Sequence, residues 1–490
     1  MTEQRAGDYQ KPISRRRIWT FRFLAIALGF SLICIIELML RCLGPPPAAS
    51  LDFASLDLEP LFEPVPNEPD FLWIPDKRRR FFPAVQFRQR KENSLRVFAL
   101  GGSTTQGEPY SNETAFPQWM GIALEQALDT DVEVINCGGL SYASYRVLAI
   151  LEEVLEYDPD LIVVYTGHNE YLEKRSYATK APSLANQTLL SQTKQLYITR
   201  WIRSFVAPDP ANTESDTSQK TELQIAAEVD ALLDYQGGLE DYERGALWMN
   251  GVVEHLGWNV VSMDEACKKA NVPLLIVEPV SNLKDCPPFK YQTSRELDTS
   301  ALAKFKVAWN LACKSSDADQ AWEAVQIALD LDPYHAGANY LAGQLALARS
   351  DSEVAKSFLV NASNHDVVPL RATVAIRTQI RSTLQRLKIP SLDANGLFES
   401  RSEDGIVGNR WLVDHIHPSV EGHQILGKEV AARVLEEGWF ETKDPNWRPK
   451  TGKLFSQYLS TLGEEYFVRA QQRLEGLRLW TQGRAKKVRE

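Results

Sequence analysis

From residue 95 the chain alternates short apolar runs with longer stretches in which apolar positions recur every three to four residues. The runs 95–100 (LRVFAL), 132–137 (VEVINC) and 161–166 (LIVVYT) have the length and β-branched content of buried strands. Between them, 116–128 and 145–157 carry helical spacing. The alternation resumes with a long helix at 243–270, a fourth strand at 274–280 (LLIVEPV), a helix at 371–388, a weak fifth strand at 389–393 and an amphipathic helix at 420–437. Strands apolar on both faces and separated by helices predict an α/β fold with a parallel sheet covered on both sides. Ligands on such sheets bind beyond the C-terminal strand ends, so the chemistry is sought at that edge.

Two stretches break the alternation. Residues 171–242 are polar and weakly patterned, a candidate lid or surface excursion. Residues 302–368 are repetitive: Ala321 and Ala355 are 34 apart, as are Ala328 and Ala362, and Pro333 closes the first unit in ALDLDP. This inserted α-helical stretch resembles two tetratricopeptide repeats, each a helix pair; a plain helical hairpin with chance spacing is the alternative. Two repeats rarely stand alone, so the insert is expected to pack against the main domain and to offer a surface to a protein partner.

The N-terminus has a different pattern. Residues 23–40 (FLAIALGFSLICIIELML) form an 18-residue run in which Glu37 is the only charge. At about 1.5 Å per residue it reaches roughly 27 Å, enough for a thin hydrocarbon core. Residues 1–22 hold six cations and two acids, net +4, whereas 41–75 hold one cation and six acids, net −5. The positive-inside rule then predicts a cytoplasmic basic segment 1–22, a transmembrane helix 23–43 lodged in the lipid bilayer and an exported remainder, periplasmic in a bacterium with two membranes. A cleaved signal peptide is the competing reading, but the run is long for one and lacks a good small-residue cleavage site. Seven prolines within 44–70 mark 44–90 as a proline-rich linker, a semi-stiff spacer ahead of a main domain over 91–440.

Composition narrows the partners. A chain of 490 residues admits two or three domains, and 44% hydrophobic with 24% charged residues is ordinary for a globular protein. A net charge of −10 argues against nucleic acid as a partner. Cys34 and Cys42 lie in or beside the apolar run, and Cys137, Cys267, Cys286 and Cys313 are scattered with no CxxC pair, so neither a disulfide framework nor zinc is expected. No cofactor or metal motif is present. The basic helical tail 441–490 ends in 466–490 with seven cations and two acids, net +5. That reads as a solvated helix face, with acidic lipid headgroups or an anionic polysaccharide as the sharper alternative.

Four polar motifs fall where strands end or the last helix begins: Gly101-Gly102-Ser103-Thr104, Asn136-Cys137-Gly138-Gly139, Gly167-His168-Asn169-Glu170 and Asp414-His415-Ile416-His417-Pro418. A hydrolytic site needs a nucleophile, a base, a group that orients the base and donors for an oxyanion. Ser103 at a strand-to-turn break is the candidate nucleophile and His417 the candidate base. Asp414, three residues earlier, can fold back onto the His417 ring. The N–H groups of Ser103 and Gly138 and the Asn169 amide can form the oxyanion hole. Singly, each has a blander reading: Ser103 as a helix cap, Gly138 and Asn169 as turn residues, Asp414 and His417 as a surface capping pair. Their joint order favours chemistry. His168 and His415 are expected to flank the site, and His423 to pack inside the last helix.

This set resembles the SGNH (GDSL-like) hydrolase superfamily over about 95–290 and 370–437. The resemblance implies a three-layer α/β/α, flavodoxin-like fold, with Ser103 as nucleophile, Gly138 and Asn169 as oxyanion donors, His417 as base and Asp414 as its partner. Gly102 and Glu170 stand where the family often has Asp. The expected function is a membrane-anchored, extracytoplasmic serine esterase acting on an acyl ester of envelope glycan or lipid. An O-acyltransferase for an exported polysaccharide and a non-catalytic repeat scaffold are the alternatives.

Overall fold

A computed structural model describes residues 60–173, 229–246 and 248–484, together with the isolated helical positions Leu28, Ser31 and Met39. The chain divides into two units, Met1–Ser55 with Pro182–Gln224 and Leu56–Ala181 with Ile225–Glu490, and the fold below belongs to the second.

The expected single-pass membrane placement is corrected: among the described residues no helix is long and apolar enough to cross a membrane. The run 23–43 itself lies outside the described residues apart from Leu28, Ser31 and Met39, as does most of the candidate lid, 174–228.

The linker reading is corrected over its second half. Three strands, β1 (Glu63–Val65), β2 (Glu68–Trp73) and β3 (Gln86–Arg88), form an antiparallel sheet. Asn67, at φ 67°, makes the turn between the first two, a conformation Asn tolerates better than most residues. Prolines hid these strands, yet Leu61, Phe62, Leu72, Ile74, Phe82 and Phe87 are buried in the domain core. Leu61 N–H and Phe62 N–H both donate to the Glu153 carboxylate, at 2.6 and 3.0 Å.

The main sheet has five parallel strands: β4 (Leu95–Gly101), β5 (Val132–Gly138), β6 (Leu161–Tyr165), β7 (Leu274–Glu278) and β8 (Ser391–Asp393), in the order β5-β4-β6-β7-β8. Alternate side chains serve opposite faces, as the two-residue period of a strand requires. Phe98, Leu100, Ile135, Ile162, Val164, Leu274 and Ile276 face one core, with Ser144–Val154, Trp248–Ala270 and Val374–Leu387 as its helices. Val97, Val132, Leu161, Val163, Leu275 and Val277 face the other, beneath Phe116–Leu128, Val420–Glu436 and Trp447–Leu459. The result is three layers. In the second core Phe116, Trp119, Met120, Ala123, Leu124 and Ala127 form one buried helix stripe. Gly427 lets the neighbouring helix approach it, since a Cβ there would lie 2.6 Å from the Phe116 carbonyl oxygen.

Between β7 and the core helix Val374–Leu387 the chain builds four helices: Thr299–Lys314, Ala318–Leu331, Ala336–Ala348 and Ser352–Asn364. Asp298, Asp317, His335 and Asp351 cap their N-termini with side-chain acceptors. Gly343 lies where two of these helices touch, its Cβ position 2.7 Å from Leu359 Cγ. The group is tied to the main domain by Arg244, whose two Nη atoms each donate to Asp332 at 2.8 Å. Its far end packs through Ala346, Ala355 and Leu359 onto Leu283 and Ile406.

Candidate active site

Parallel pairing aligns three strand ends in one row: Gly101 of β4 faces Gly138 of β5 and Tyr165 of β6. The turns that follow therefore meet at one edge. β4 runs directly into a short helix, Ser103–Gln106, with Gly102 as its N-cap and Gly107 (φ 101°) ending it. Close approach explains the glycines here. A Cβ at Gly101 would lie 2.1 Å from the Tyr165 carbonyl oxygen, and one at Gly102 would lie 2.5 Å from Asn169 Nδ2. At Gly138 it would lie 2.1 Å from the Gln106 nitrogen.

The fourth motif arrives from a loop pinched by an isolated bridge between Leu412 and Pro418. Ser419 then caps the last core helix, its Oγ accepting from Gly422 N–H at 3.1 Å. Within the loop, Asp414 Oδ1 accepts from Ile416 N–H and His417 N–H at 2.9 and 2.8 Å, which orients the carboxylate. Its Oδ2 lies 2.7 Å from His417 Nδ1, and His417 Nε2 lies 2.7 Å from Ser103 Oγ. The structure thus joins Ser103, His417 and Asp414 in one hydrogen-bonded chain. All three are nearly enclosed: Ser103 is 4% and His417 2% exposed.

Burial alone would push the His417 pKa down, but the Asp414 carboxylate and its hydrogen bond outweigh that and raise it above 6.5. Burial would likewise raise the Asp414 carboxyl. The His417 and His415 rings and two backbone donors hold it well below the usual range instead. The ring so arranged is basic enough to take a hydroxyl proton and is fixed with Nε2 toward Ser103.

The three candidate oxyanion donors differ in what they already bond. Ser103 N–H opens a helix and has no intrahelical acceptor by position. Asn169 Nδ2 donates to the Tyr142 carbonyl at 3.1 Å, which leaves its second hydrogen for another acceptor. Gly138 N–H, however, donates to Asn136 Oδ1 at 2.9 Å. Asn136 opens the second motif, and the motif alone gave it no role. Its Nδ2 also donates to Thr105 O and Asn112 Oδ1, both at 2.9 Å, binding the short helix that Ser103 opens to the next strand. One signal was available, an amide set between the apolar Ile135 and Cys137 of that strand.

The flanking histidines are neutral. Burial takes His168 down to about 3, and its Nε2–H donates to the Val280 carbonyl at 3.0 Å. Burial takes His415 down to about 4 despite Asp414, and its ring meets Phe289 edge-on at 5.3 Å. His423 caps rather than merely packs: its Nδ1 accepts from Phe116 N–H at 3.2 Å, serving a helix N-terminus that has no side-chain cap of its own. Asp414, His415 and His417 each bring a ligand atom within 4.8 Å of the others. Both His417 nitrogens are already engaged, by Asp414 and Ser103, so the set is arranged for proton transfer. Cys137, Cys267, Cys286 and Cys313 are free thiols, and burial pushes Cys137 well up.

No protein-family model and no curated protein matches the chain. Among solved structures it is similar to a GDSL-like lipase from Bacteroides thetaiotaomicron, at 10% identity and TM-score 0.31, over 72% of this chain and 93% of that one. It is also similar to a lipase/acylhydrolase from Enterococcus faecalis, at 12% identity and TM-score 0.30, over 71% and 99% of the two chains. A third is a catalytic mutant of an acetylxylan esterase from Geobacillus stearothermophilus, at 12% identity and TM-score 0.28, over 71% and 97%. Scores of this size do not carry chemistry from one chain to another, and the assignment rests on the geometry of the site itself.

Proposed function

We propose that the protein is a serine ester hydrolase acting on an acyl ester of a glycan or lipid. The observation that carries this reading is the chain of two 2.7 Å contacts from Ser103 Oγ through His417 to Asp414. In the proposed reaction Ser103 Oγ attacks the ester carbonyl while its proton passes to His417 Nε2. Ser103 N–H and the free hydrogen of the Asn169 amide stabilise the oxyanion. Gly138 N–H joins them only by releasing Asn136 Oδ1. The alcohol leaves with the proton from His417, and water attacks the acyl-serine with His417 again as base. Asp414 holds the ring's orientation and stabilises the imidazolium.

The near-enclosure of Ser103 and His417 favours a second reading, in which a bound alcohol replaces water and the acyl group is transferred. A fluorophosphonate probe and a p-nitrophenyl ester, applied to the native chain and to Ser103→Ala, test both. Labelling and turnover that vanish in Ser103→Ala support hydrolysis, and labelling without turnover favours transfer. A folded native chain that does not label defeats the serine mechanism.

A further inference from the structure

Asn282 follows β7 and belongs to none of the four motifs, yet it is fully enclosed at 0% exposure. Each of its polar groups is used. The backbone N–H donates to the His415 carbonyl at 2.9 Å. The Nδ2 group donates to the Asp414 carbonyl and to Asn409 Oδ1, both at 2.9 Å. Oδ1 accepts from Asp285 N–H at 2.9 Å, and the carbonyl accepts from Arg371 Nη1 at 2.9 Å. Two of these bonds land on consecutive carbonyls, at Asp414 and His415. The Asp414 side chain spends both oxygens on residues 416 and 417. The peptide between Asp414 and His415 therefore has its orientation set from outside the loop.

We propose that Asn282 is a positioning residue that holds the Asp414–His415 backbone so that the Asp414 carboxylate stays aligned on His417. This rests on the serine-hydrolase reading. The inserted helices brace the same turn: Tyr340 Oη and Gln344 Nε2 donate to the Lys284 carbonyl at 3.2 and 2.6 Å. Arg371 holds it from the other side, donating also to the Cys286 carbonyl at 2.8 Å. Without the Asn282 amide the 414–415 peptide can rotate, and the aspartate–imidazole bond lengthens. An ångström of misplacement costs on the order of 10²-fold in rate.

The test uses the full chain and the variants Asn282→Ala and Asn282→Asp, the latter keeping shape and the acceptor toward Asp285 while losing the donor. Both are expected to lose about 10²-fold in kcat with KM for a p-nitrophenyl ester nearly unchanged. In Asn282→Ala the acid limb of kcat/KM should also move down, because His417 loses part of its support from Asp414. The charged and titratable groups facing His417 are Asp414 and His415 on its own loop, His168 after β6, His423 on the following helix and Glu108 beyond Ser103. None of these is altered by the substitution. Proton NMR of the His417 Nδ1–H signal gives a reading that needs no turnover: a downfield signal in the native chain should be lost or shifted in both variants. Unchanged kcat, or an unchanged acid limb with an unchanged signal, overturns the proposal even if the melting temperature falls. Ser103→Ala separates the two readings. Turnover that survives Ser103→Ala sinks the hydrolase assignment, whereas turnover that dies there and persists in the Asn282 variants sinks only this one.

Discussion

Ser103 Oγ lies 2.7 Å from His417 Nε2 although 314 residues separate the two in sequence. A contact of that length between enclosed groups, with the far side of the ring bonded to a carboxylate, is the arrangement that activates a serine hydroxyl. Replacing either residue by alanine should reduce ester turnover to the level left by binding and oxyanion donors alone. Burst kinetics and active-site titration provide the measurement, and turnover within tenfold of native in Ser103→Ala would assign the nucleophile elsewhere.

Asp414→Asn keeps shape and removes charge. The amide no longer requires a proton on His417 Nδ1, so the ring can adopt the wrong tautomer, and kcat should fall by about 10³–10⁴-fold with KM little changed. Steady-state kinetics beside near-ultraviolet circular dichroism distinguishes this from unfolding.

Asn169→Ala removes one of the proposed oxyanion donors and the bond to the Tyr142 carbonyl. A loss of about 10²–10³-fold in kcat is expected, concentrated in the acylation step. An equal rise in KM with unchanged kcat would make Asn169 a binding residue instead.

In the proposed mechanism the working base is neutral His417, whose pKa lies above 6.5 because Asp414 outweighs burial. A raised pKa keeps the ring protonated, and so inactive, to a higher pH than an ordinary histidine. The activity of the native chain should therefore fall on the acid side through a midpoint above 6.5, and in Asp414→Asn the residual limb should move lower. A pH profile of kcat/KM checks the order.

Stability has its own acid dependence. His168 and His423 titrate near 3, and His335 and His415 near 4, all chiefly lowered by burial. The unfolded chain binds protons at these sites near 6.5 while the folded chain refuses them. Stability is then full above about 6.5 and declines as pH falls toward 4, by roughly 1.4 kcal/mol per pH unit for each ring. Urea midpoints between about pH 7.5 and 4.5 give the slope, and His423→Gln should flatten it.

The sequence made the sheet legible because β4 to β7 carry apolar side chains toward both cores, and helices with plain 3.6-residue spacing alternate with them, whereas β8 offers only Leu392. The site was legible because its chemistry sits in short motifs at strand ends, where a parallel sheet gathers them. Proline concealed the strands near Trp73, whose register slips between Pro64 and Val65 to accommodate it. Asn282 was hidden for another reason: it acts through backbone groups of the distant 414–415 segment, and no local pattern announces such partners. The apolar N-terminal run matched a membrane span in length and flanking charge, yet none of the described helices provides one.

One feature of the chain path bears on how this fold tolerates change. The two sides of the stretch 174–228 are joined to each other, with Asp230 N–H on Glu173 Oε1 at 3.1 Å and Leu232 N–H on the Leu172 carbonyl at 2.9 Å. Glu173 is itself clamped by the buried Arg146, at 2.7 Å. The two ends are thus sealed to the domain independently of what runs between them. For a flexible connection, doubling its length costs only about 0.6 kcal/mol of closure entropy. A change of length between these two points is therefore expected to leave Ser103 and Asn169 in their places.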